Sequence, residues 1–380
     1  MDDIIRVGVT GNSGFLGKHL HNYLNLQKDI SLVFYAKSFF LNPSSLSSFV
    51  DQCDCIIHLA GLNRHDDQNI LYKTNVDLVK KLIDACELSR RKKHIIFSSS
   101  IQIKNESMYS KSKLEGARLF KDWAERSGNS FTNLIIPNIY GPFGKPFYNS
   151  FISTFCYQLI NEKPPVIDED RKVKLIYVGS VVEKIYNIIK NDEKFEKKIF
   201  NYKDIEIEYD KKKYVSEVLS MLKKFDNQYK KRDLIPNLSS NFKLSLFNTY
   251  RSYLPTEYFP KKHIQNIDYR GKFVELVRSD NLGQFSYSIT KPGILRGQHF
   301  HTKKVERFIV IGGTAIIRLR KVGSDEIIEY HLDGNNPSYV DIPIWHTHNI
   351  ENVGTDSLIT LFWVNEHFDN DNPDTFFEEV

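Results

Sequence analysis

An apolar run at residues 4–10 breaks at Gly11-Asn12-Ser13-Gly14-Phe15-Leu16-Gly17, and from Lys18 onward apolar residues return at helical spacing. Few features restrict a chain more. A strand, a glycine turn and a helix in that order make the phosphate-binding corner of a doubly wound, Rossmann-like parallel sheet. The free N–H groups at such a helix start meet an anion directly. Gly11 suits the tight turn, Gly14 the approach of backbone N–H groups to a pyrophosphate, and Gly17 the packing of helix on strand. Gly11, Gly14, Phe15, Leu16 and Gly17 are thus candidate cofactor contacts.

The next segments keep the alternation of such a sheet. A second strand is expected at residues 31–36, followed by Lys37-Ser38. An acidic residue at that point would take the ribose 2′-hydroxyl of NADH. A cation and a hydroxyl suit a 2′-phosphate, so NADPH is the expected cofactor. A short polar helix is read at residues 42–52, and a buried strand from residue 54 ends in the small turn Leu59-Ala60-Gly61, where backbone can lie against the cofactor. Asn75, another candidate cofactor contact, opens an amphipathic helix expected to reach about Arg90, and residues 94–100 form a strand ending in Ser98-Ser99-Ser100. Nine residues later stand Tyr109 and Lys113, four apart and so on one face of a helix. A free tyrosine ionises near about 10. An adjacent ammonium favours the phenolate and lets the pair pass a proton. Ser100 is placed to hold a substrate carbonyl or alkoxide.

At 380 residues the chain is too long for one ordinary core, so two domains are expected, with limits at 1–255 and 263–380. The net charge of +5 gives no support to nucleic-acid binding. The runs Lys211-Lys212-Lys213 and Lys230-Lys231-Arg232 read as solvated helix faces. No apolar run approaches the roughly 20 residues of a membrane span. The acidic start Met1-Asp2-Asp3 does not resemble a signal peptide, and a cytoplasmic protein is expected. Cys53, Cys55, Cys86 and Cys156 have no metal or redox spacing and read as reduced thiols. Residues 254–262, with Pro255 and Pro260, read as the linker.

Beyond residue 263 short alternating runs separated by turns predict an all-β barrel or double-sheet jelly roll. Its centre is the stretch 293–313, in which His299 and His301 alternate onto one face of a strand and Glu306 follows on the next. His348 can close the group. Three imidazoles and a carboxylate suit a divalent first-row metal, with zinc the expected ion.

The three-residue glycine spacing, the His58-Leu59-Ala60-Gly61 turn, the serine-ended strand and Tyr109-x-x-x-Lys113 together resemble the extended short-chain dehydrogenase/reductases that act on nucleotide sugars. The resemblance covers residues 1 to about 250. It implies Ser100, Tyr109 and Lys113 as the catalytic set, and the loop at residues 136–142, with Pro137 and Asn138, beside the nicotinamide and the sugar. It also implies Asn149 on the UDP side. One departure stands out. Tyr177-Val178-Gly179-Ser180-Val181 replaces the usual Tyr-Val-x-Asp-Val, so a capping hydrogen bond is expected to be lost.

The stretches 293–313 and 343–352 resemble the two motifs of the cupin superfamily, which implies His299, His301, Glu306 and His348 as metal ligands. Trp345 stands where glycine is usual, and His346 is either a substrate contact or an exposed ring. Arg296-Gly297-Gln298-His299 also resembles the dTDP-4-keto-6-deoxyhexose 3,5-epimerases. There the His is the base and the Arg contacts the nucleotide sugar, so His299 is claimed for two roles. The fusion as a whole resembles bifunctional capsular-polysaccharide enzymes on the route to UDP-N-acetyl-L-fucosamine. That implies C3 epimerisation followed by NADPH-dependent C4 reduction. Cupin barrels with exposed sheet edges often pair, so a homodimer is expected. The alternative is a plain 4-ketoreductase with a structural or dimerising barrel.

Overall fold

In the computed structural model, residues 4–100, 107–190, 201–263, 265–268, 271–274, 278–279, 284–366 and 371–380 are described. The chain forms two compact units, and neither is continuous in sequence. The first comprises residues 1–140, 148–150 and 171–214, the second residues 141–147, 151–170 and 215–380.

The first unit holds a six-stranded sheet in the order β2-β1-β3-β4-β5-β8. Its strands are β1 (Ile5–Thr10), β2 (Ile30–Val33), β3 (Cys55–His58), β4 (His94–Ser100), β5 (Ser130–Ile136) and β8 (Asn201–Glu206), all parallel. Strand residues alternate between two apolar layers. Ile56, Ile95 and Phe97 join Phe49, Leu82, Phe120 and Trp123 on one face. Cys55, Ile57 and Ile96 join Leu20, Leu24, Val182 and Ile185 on the other. Helices α2 (Pro43–Gln52), α3 (Gln68–Leu88) and α4 (Met108–Ser127) supply the first layer. Helices α1 (Phe15–Asn25) and α6 (Val178–Lys190) supply the second. A doubly wound sheet results. All four cysteines are buried and none is in a disulfide.

Three sequence expectations shift. Helix α3 begins at Gln68, seven residues before Asn75, because the Asp67 carboxylate caps it by accepting from the N–H groups of Asn69 and Ile70. Lys211–Tyr214 is a strand, β9, rather than a helix. It pairs with β7 (Lys172–Tyr177), which also pairs with β6 (Asn138–Tyr140). The hydrogen bond expected to be lost near Ser180 is supplied from elsewhere. The Asp210 carboxylate accepts from the Tyr177 N–H at 2.7 Å and from the Ser180 hydroxyl at 3.3 Å, where α6 starts.

The second unit contains α5 (Phe151–Ile160), the helices Val215–Phe225 and Asn241–Arg251, and two five-stranded sheets. Short strands β10 (Leu234–Ile235) and β14 (Arg278–Ser279) pair with each other, as do β12 (Gln265–Asp268) and β13 (Gly271–Val274). One large sheet runs β11-β20-β17-β22-β15 and the other β19-β18-β21-β16-β23. These strands are β11 (Lys261–Lys262), β15 (Gln284–Thr290), β16 (Leu295–Phe300), β17 (Glu306–Gly312), β18 (Thr314–Lys321), β19 (Ile327–Asp333), β20 (Ser338–Ile342), β21 (His346–Asn352), β22 (Leu358–Val364) and β23 (Phe376–Phe377). Every pairing within them is antiparallel. Phe308 and Val310 of one sheet and Ile317, Leu319 and Ile350 of the other share a core.

A buried charge cluster explains why residues 226–263 pack with these sheets. Arg307 and Asp341, opposite each other on β17 and β20, are 1% and 0% exposed and form a two-point ion pair at 2.7 and 3.0 Å. The Tyr229 hydroxyl donates to the same carboxylate, and the Arg307 guanidinium lies 3.8 Å from the centre of the Tyr339 ring. Buried charges persist only when paired and hydrogen-bonded in this way. The segment expected to be a linker belongs to this packing. Its β11 pairs with β20, and the Tyr258 hydroxyl donates to the Tyr229 carbonyl at 3.1 Å. Prolines punctuate that segment, but Tyr258 and Phe259 are half-buried in it and its strand is paired. Among the described residues no helix is long and apolar enough to cross a membrane.

Candidate functional sites

The chain leaves β1 for β2 on one side and returns to β3 on the other, so the sheet order reverses at the carboxyl ends of β1 and β3. Ligands bind open α/β sheets at such a point. The glycine loop follows β1 and the Leu59-Ala60-Gly61 turn follows β3, and the two lie against each other. Gly11 has φ +72°, and a Cβ there would stand 2.7 Å from the Ala60 nitrogen. A Cβ on Gly17 would stand 2.1 Å from the Gly11 carbonyl oxygen. Helix α1 has Gly14 at its N-cap, with no side-chain cap and no acid in its first turn. Its terminal N–H groups are therefore not committed to a side chain, as an anion site requires.

The sequence did not single out the tie that holds this corner. Thr10 Oγ1 bonds His58 Nδ1 at 2.8 Å and accepts from the Ala60 N–H at 3.3 Å. Burial pushes the His58 imidazole down to about 3, so it is neutral. Lys37 and Ser38 are exposed in a short 3₁₀ turn after β2. Asn75, expected at the cofactor, braces the turn after β3. Its amide oxygen accepts from the Leu62 N–H at 2.6 Å, and its amide nitrogen donates to the Leu62 carbonyl at 3.0 Å and to Ser112 Oγ at 3.1 Å. The Ser112 hydroxyl donates to the Tyr109 carbonyl at 2.7 Å. Asn75 thereby joins the turn after β3 to helix α4.

Helix α4 presents Tyr109 and Lys113 on one face, with the Lys113 ammonium 5.8 Å from the centre of the Tyr109 ring. The ammonium also donates to the Ser98 carbonyl at 2.8 Å. Burial pulls Lys113 down to about 8. Burial, with the nearby Tyr148, pushes the Tyr109 phenol up to about 12. Both shifts disfavour the charged forms, so in the free protein the phenol is neutral rather than the expected phenolate. Ser100 ends β4, and residues 101–106 lie outside the described residues. Pro137 is buried between β5 and β6. The Asn138 amide donates to the Lys174 carbonyl at 3.2 Å. Asn149 is exposed next to Tyr148.

In the second unit, His299 on β16, His301 just beyond it, Glu306 opening β17 and His348 on β21 converge, with one ligand atom of each within 4.8 Å of the others. His299 and His348 are cross-strand partners. His301 Nδ1 bonds the Asp374 carbonyl and His348 Nδ1 bonds the His346 carbonyl at 3.3 Å. A carbonyl only accepts, so each ring carries its proton on Nδ1. Both Nε2 atoms then face the Glu306 carboxylate, at 2.9 Å for His301 and 3.5 Å for His348. A protonated ring would donate to that carboxylate, as the His301–Glu306 bond allows, whereas a neutral one turns its Nε2 lone pair toward a cation held between ring and carboxylate. The His348 Nε2 atom is buried without a hydrogen-bond partner. Three imidazoles and one carboxylate around such an atom fit a divalent metal.

The register of β16 against β21 slips at Gln298, which has φ +66°. Arg296 is opposite Ile350, and His299 opposite His348. Ile350 and His348 lie two apart on β21, on one face. The bulge therefore brings Arg296 and His299, three apart, to that same face. Trp345 has φ +56°, so the left-handed turn of a glycine is kept by a large residue. Its ring stacks on Phe300 rather than on the histidines. His346 is half-buried, and its Nδ1 bonds the Ile344 carbonyl at 3.0 Å.

The model of the NAD dependent epimerase/dehydratase family matches residues 7–202. The chain belongs to this family. Residues 266–376 of this epimerase/dehydratase family member match a second model, the polysaccharide biosynthesis C-terminal domain. Over 98% of both chains it is 30% identical to the UDP-2-acetamido-2,6-beta-L-arabino-hexul-4-ose reductase of Pseudomonas aeruginosa. A solved structure of the capsular polysaccharide assembling protein CapF from Staphylococcus aureus is similar at 34% identity and TM-score 0.61, covering 99% of this chain and 100% of that one. The structure of RMD from Pseudomonas aeruginosa complexed with NADPH shares the fold, at TM-score 0.52 and 20% identity over 59% of this chain and 82% of that one. Binding of a nicotinamide cofactor, NAD(P)H, follows from the family and from the glycine corner together.

Proposed function

We propose that the chain is a bifunctional nucleotide-sugar enzyme of surface-polysaccharide synthesis. Its substrate is a UDP-4-keto-6-deoxy-N-acetylhexosamine. A cupin-type domain at 263–380, within the second unit, inverts C3. A reductase domain with its substrate lobe at 1–255, which takes in the first unit and residues 141–147, 151–170 and 215–255 of the second, then reduces C4 and gives UDP-2-acetamido-2,6-dideoxy-β-L-talose. The observation that carries this reading is the presence of both chemistries in one chain: a Tyr109/Lys113 reductase pair and a His299, His301, Glu306, His348 cluster, in a sequence alignable end to end with a UDP-hexulose reductase.

Order follows from chemistry. The C3 proton is acidic only while C4 is a ketone, so epimerisation precedes reduction. A base takes the C3 proton, the electron pair moves onto the C4 oxygen as an enolate, and reprotonation on the opposite face inverts C3. Arg296, on the face of His299, would hold the nucleotide diphosphate. In reduction, the Tyr109 phenol gives its proton to the C4 oxygen, Ser100 bonds that oxygen, and Lys113 stabilises the phenolate left behind. Bound NADPH supplies the hydride, and a divalent ion, zinc by its donor set, supplies positive charge near the enolate. His299, His301, Glu306 and His348 would hold that ion. Lys37 and Ser38 would take the 2′-phosphate, and backbone at Gly14, Phe15 and Leu16 the pyrophosphate. A homodimer is part of the proposal: β15 is a sheet edge with Tyr287 and Ile289 exposed.

A plain reductase, with the cluster holding a structural ion, is the second reading, favoured by the relative's name as a reductase. Deuterium incorporation at C3 separates the two. The keto sugar is incubated with the protein in D2O without NADPH and read by NMR. Exchange that vanishes in His348→Ala and persists in Tyr109→Phe supports the bifunctional enzyme. No exchange in the wild type, with NADPH still oxidised, leaves the reductase alone.

A further inference from the structure

The tail of the chain closes on the histidine cluster at one residue, Asp374. It is buried and has φ +41°, a left-handed conformation that Asp tolerates better than most side chains. Its backbone carbonyl accepts from His301 Nδ1. Its carboxylate accepts from the Thr302 N–H at 3.1 Å, the Thr302 hydroxyl at 2.7 Å, and the Lys303 and Lys304 N–H groups at 3.0 Å each. Those residues make the turn that leads from His301 toward Glu306. One residue thus orients the ring of one candidate ligand and sets the turn that spaces it from the next. A buried carboxylate is costly to desolvate, and four donors aimed at it offset that cost.

The rest of the tail reinforces the same place. The Lys304 ammonium donates to the Pro373 carbonyl at 2.5 Å. Phe376 and Phe377 pair with Phe300 and His299. The Glu378 N–H donates to the Gln298 carbonyl at 3.0 Å, and the Val380 N–H to Gln298 Oε1 at 3.0 Å. Gln298 is the bulge that aligns Arg296 with His299.

We propose that Asp374 is a positioning residue for the His299, His301, Glu306, His348 centre, acting through His301 and the turn 302–304. The inference rests on the reading of that cluster as a metal centre. Outer partners of this kind tune metal affinity by about 10- to 100-fold.

The test uses the full chain, stripped of metal, with zinc affinity measured by chelator competition and apo stability by thermal melting. Asp374→Ala is expected to weaken zinc binding by about 10-fold or more and to leave NADPH affinity unchanged. A residue with a merely structural role would lower the melting temperature and leave zinc affinity, measured well below that temperature, as in the wild type. That result overturns the proposal. Should Asp374→Ala not fold, Asp374→Asn decides. Whichever way its amide turns, an NH2 group meets backbone N–H donors, so weaker zinc binding is expected and wild-type affinity refutes the proposal. A wild type that takes no zinc defeats the metal reading and this inference together. A wild type that binds zinc no better than Asp374→Ala defeats this inference alone.

Discussion

Placing a glycine at position 345 should destabilise this protein. Trp345 is 5% exposed and stacks on Phe300 with ring centres 5.4 Å apart. Phe300 stacks in turn on Phe376 at 5.4 Å. Truncating a buried Trp costs about 3–5 kcal/mol. Against that, the left-handed backbone of Trp345 costs roughly 1–2 kcal/mol, which glycine removes. Glycine gives back about 0.5–1 kcal/mol through its greater freedom in the unfolded chain. The balance is a net loss of about 2–4 kcal/mol for Trp345→Gly. Trp345→Ala loses the same packing but keeps the strained backbone, so it should be worse than Trp345→Gly by about 1 kcal/mol. Urea denaturation followed by circular dichroism measures both, comparing midpoints of the same transition. A Trp345→Gly protein at least as stable as the wild type would refute the packing argument. Equal stability of the Ala and Gly variants would refute the backbone argument.

Three other perturbations test the reductase corner. Gly17→Ala drives a Cβ to 2.1 Å from the Gly11 carbonyl, a backbone atom that cannot swing away; a loss of about 1–3 kcal/mol and at least about ten-fold weaker NADPH binding are expected, and wild-type fluorescence titration and melting would contradict this. Asn75→Ala leaves the Leu62 N–H and carbonyl unpaired, which should cost about 1–3 kcal/mol in denaturant titration, with a loss under about 0.5 kcal/mol counting against the clamp. The third is pH dependence. Lys113 is charged below about 8 in the free protein, so kcat/KM for NADPH should fall as pH rises through 8, and a flat profile to pH 9.5 would exclude Lys113 as the charge that matters. The stability sign is opposite. Its depressed value means that the burial penalty is fully present below pH 8 and is relieved as pH rises toward the ordinary 10.5, so this group adds stability there.

By itself the sequence determined what short-range rules encode. The glycine loop, the spacing of Tyr109 and Lys113 and the alternation of His299 with His301 each follow from the period of one helix or strand. They locate chemistry because neighbours along the chain have fixed directions in space. The start of α3 was legible too, in Asp67, although the apolar pattern drew attention to Asn75. Tertiary structure alone decided what has no spacing rule. Asp374 meets His301 across 73 residues of sequence, and Tyr229 reaches Asp341 across 112. Asp210 repairs a cap 33 residues away from Tyr177. The bulge at Gln298 changes which residues share a face with His299, and no period announces it. Such partners are chosen by the need of each buried charge, ring nitrogen or N–H group for a hydrogen bond, and any acceptor that folding brings within reach will serve. That need is local in space and blind to sequence distance, so the chain shows the groups that react and only the fold shows what holds them in place.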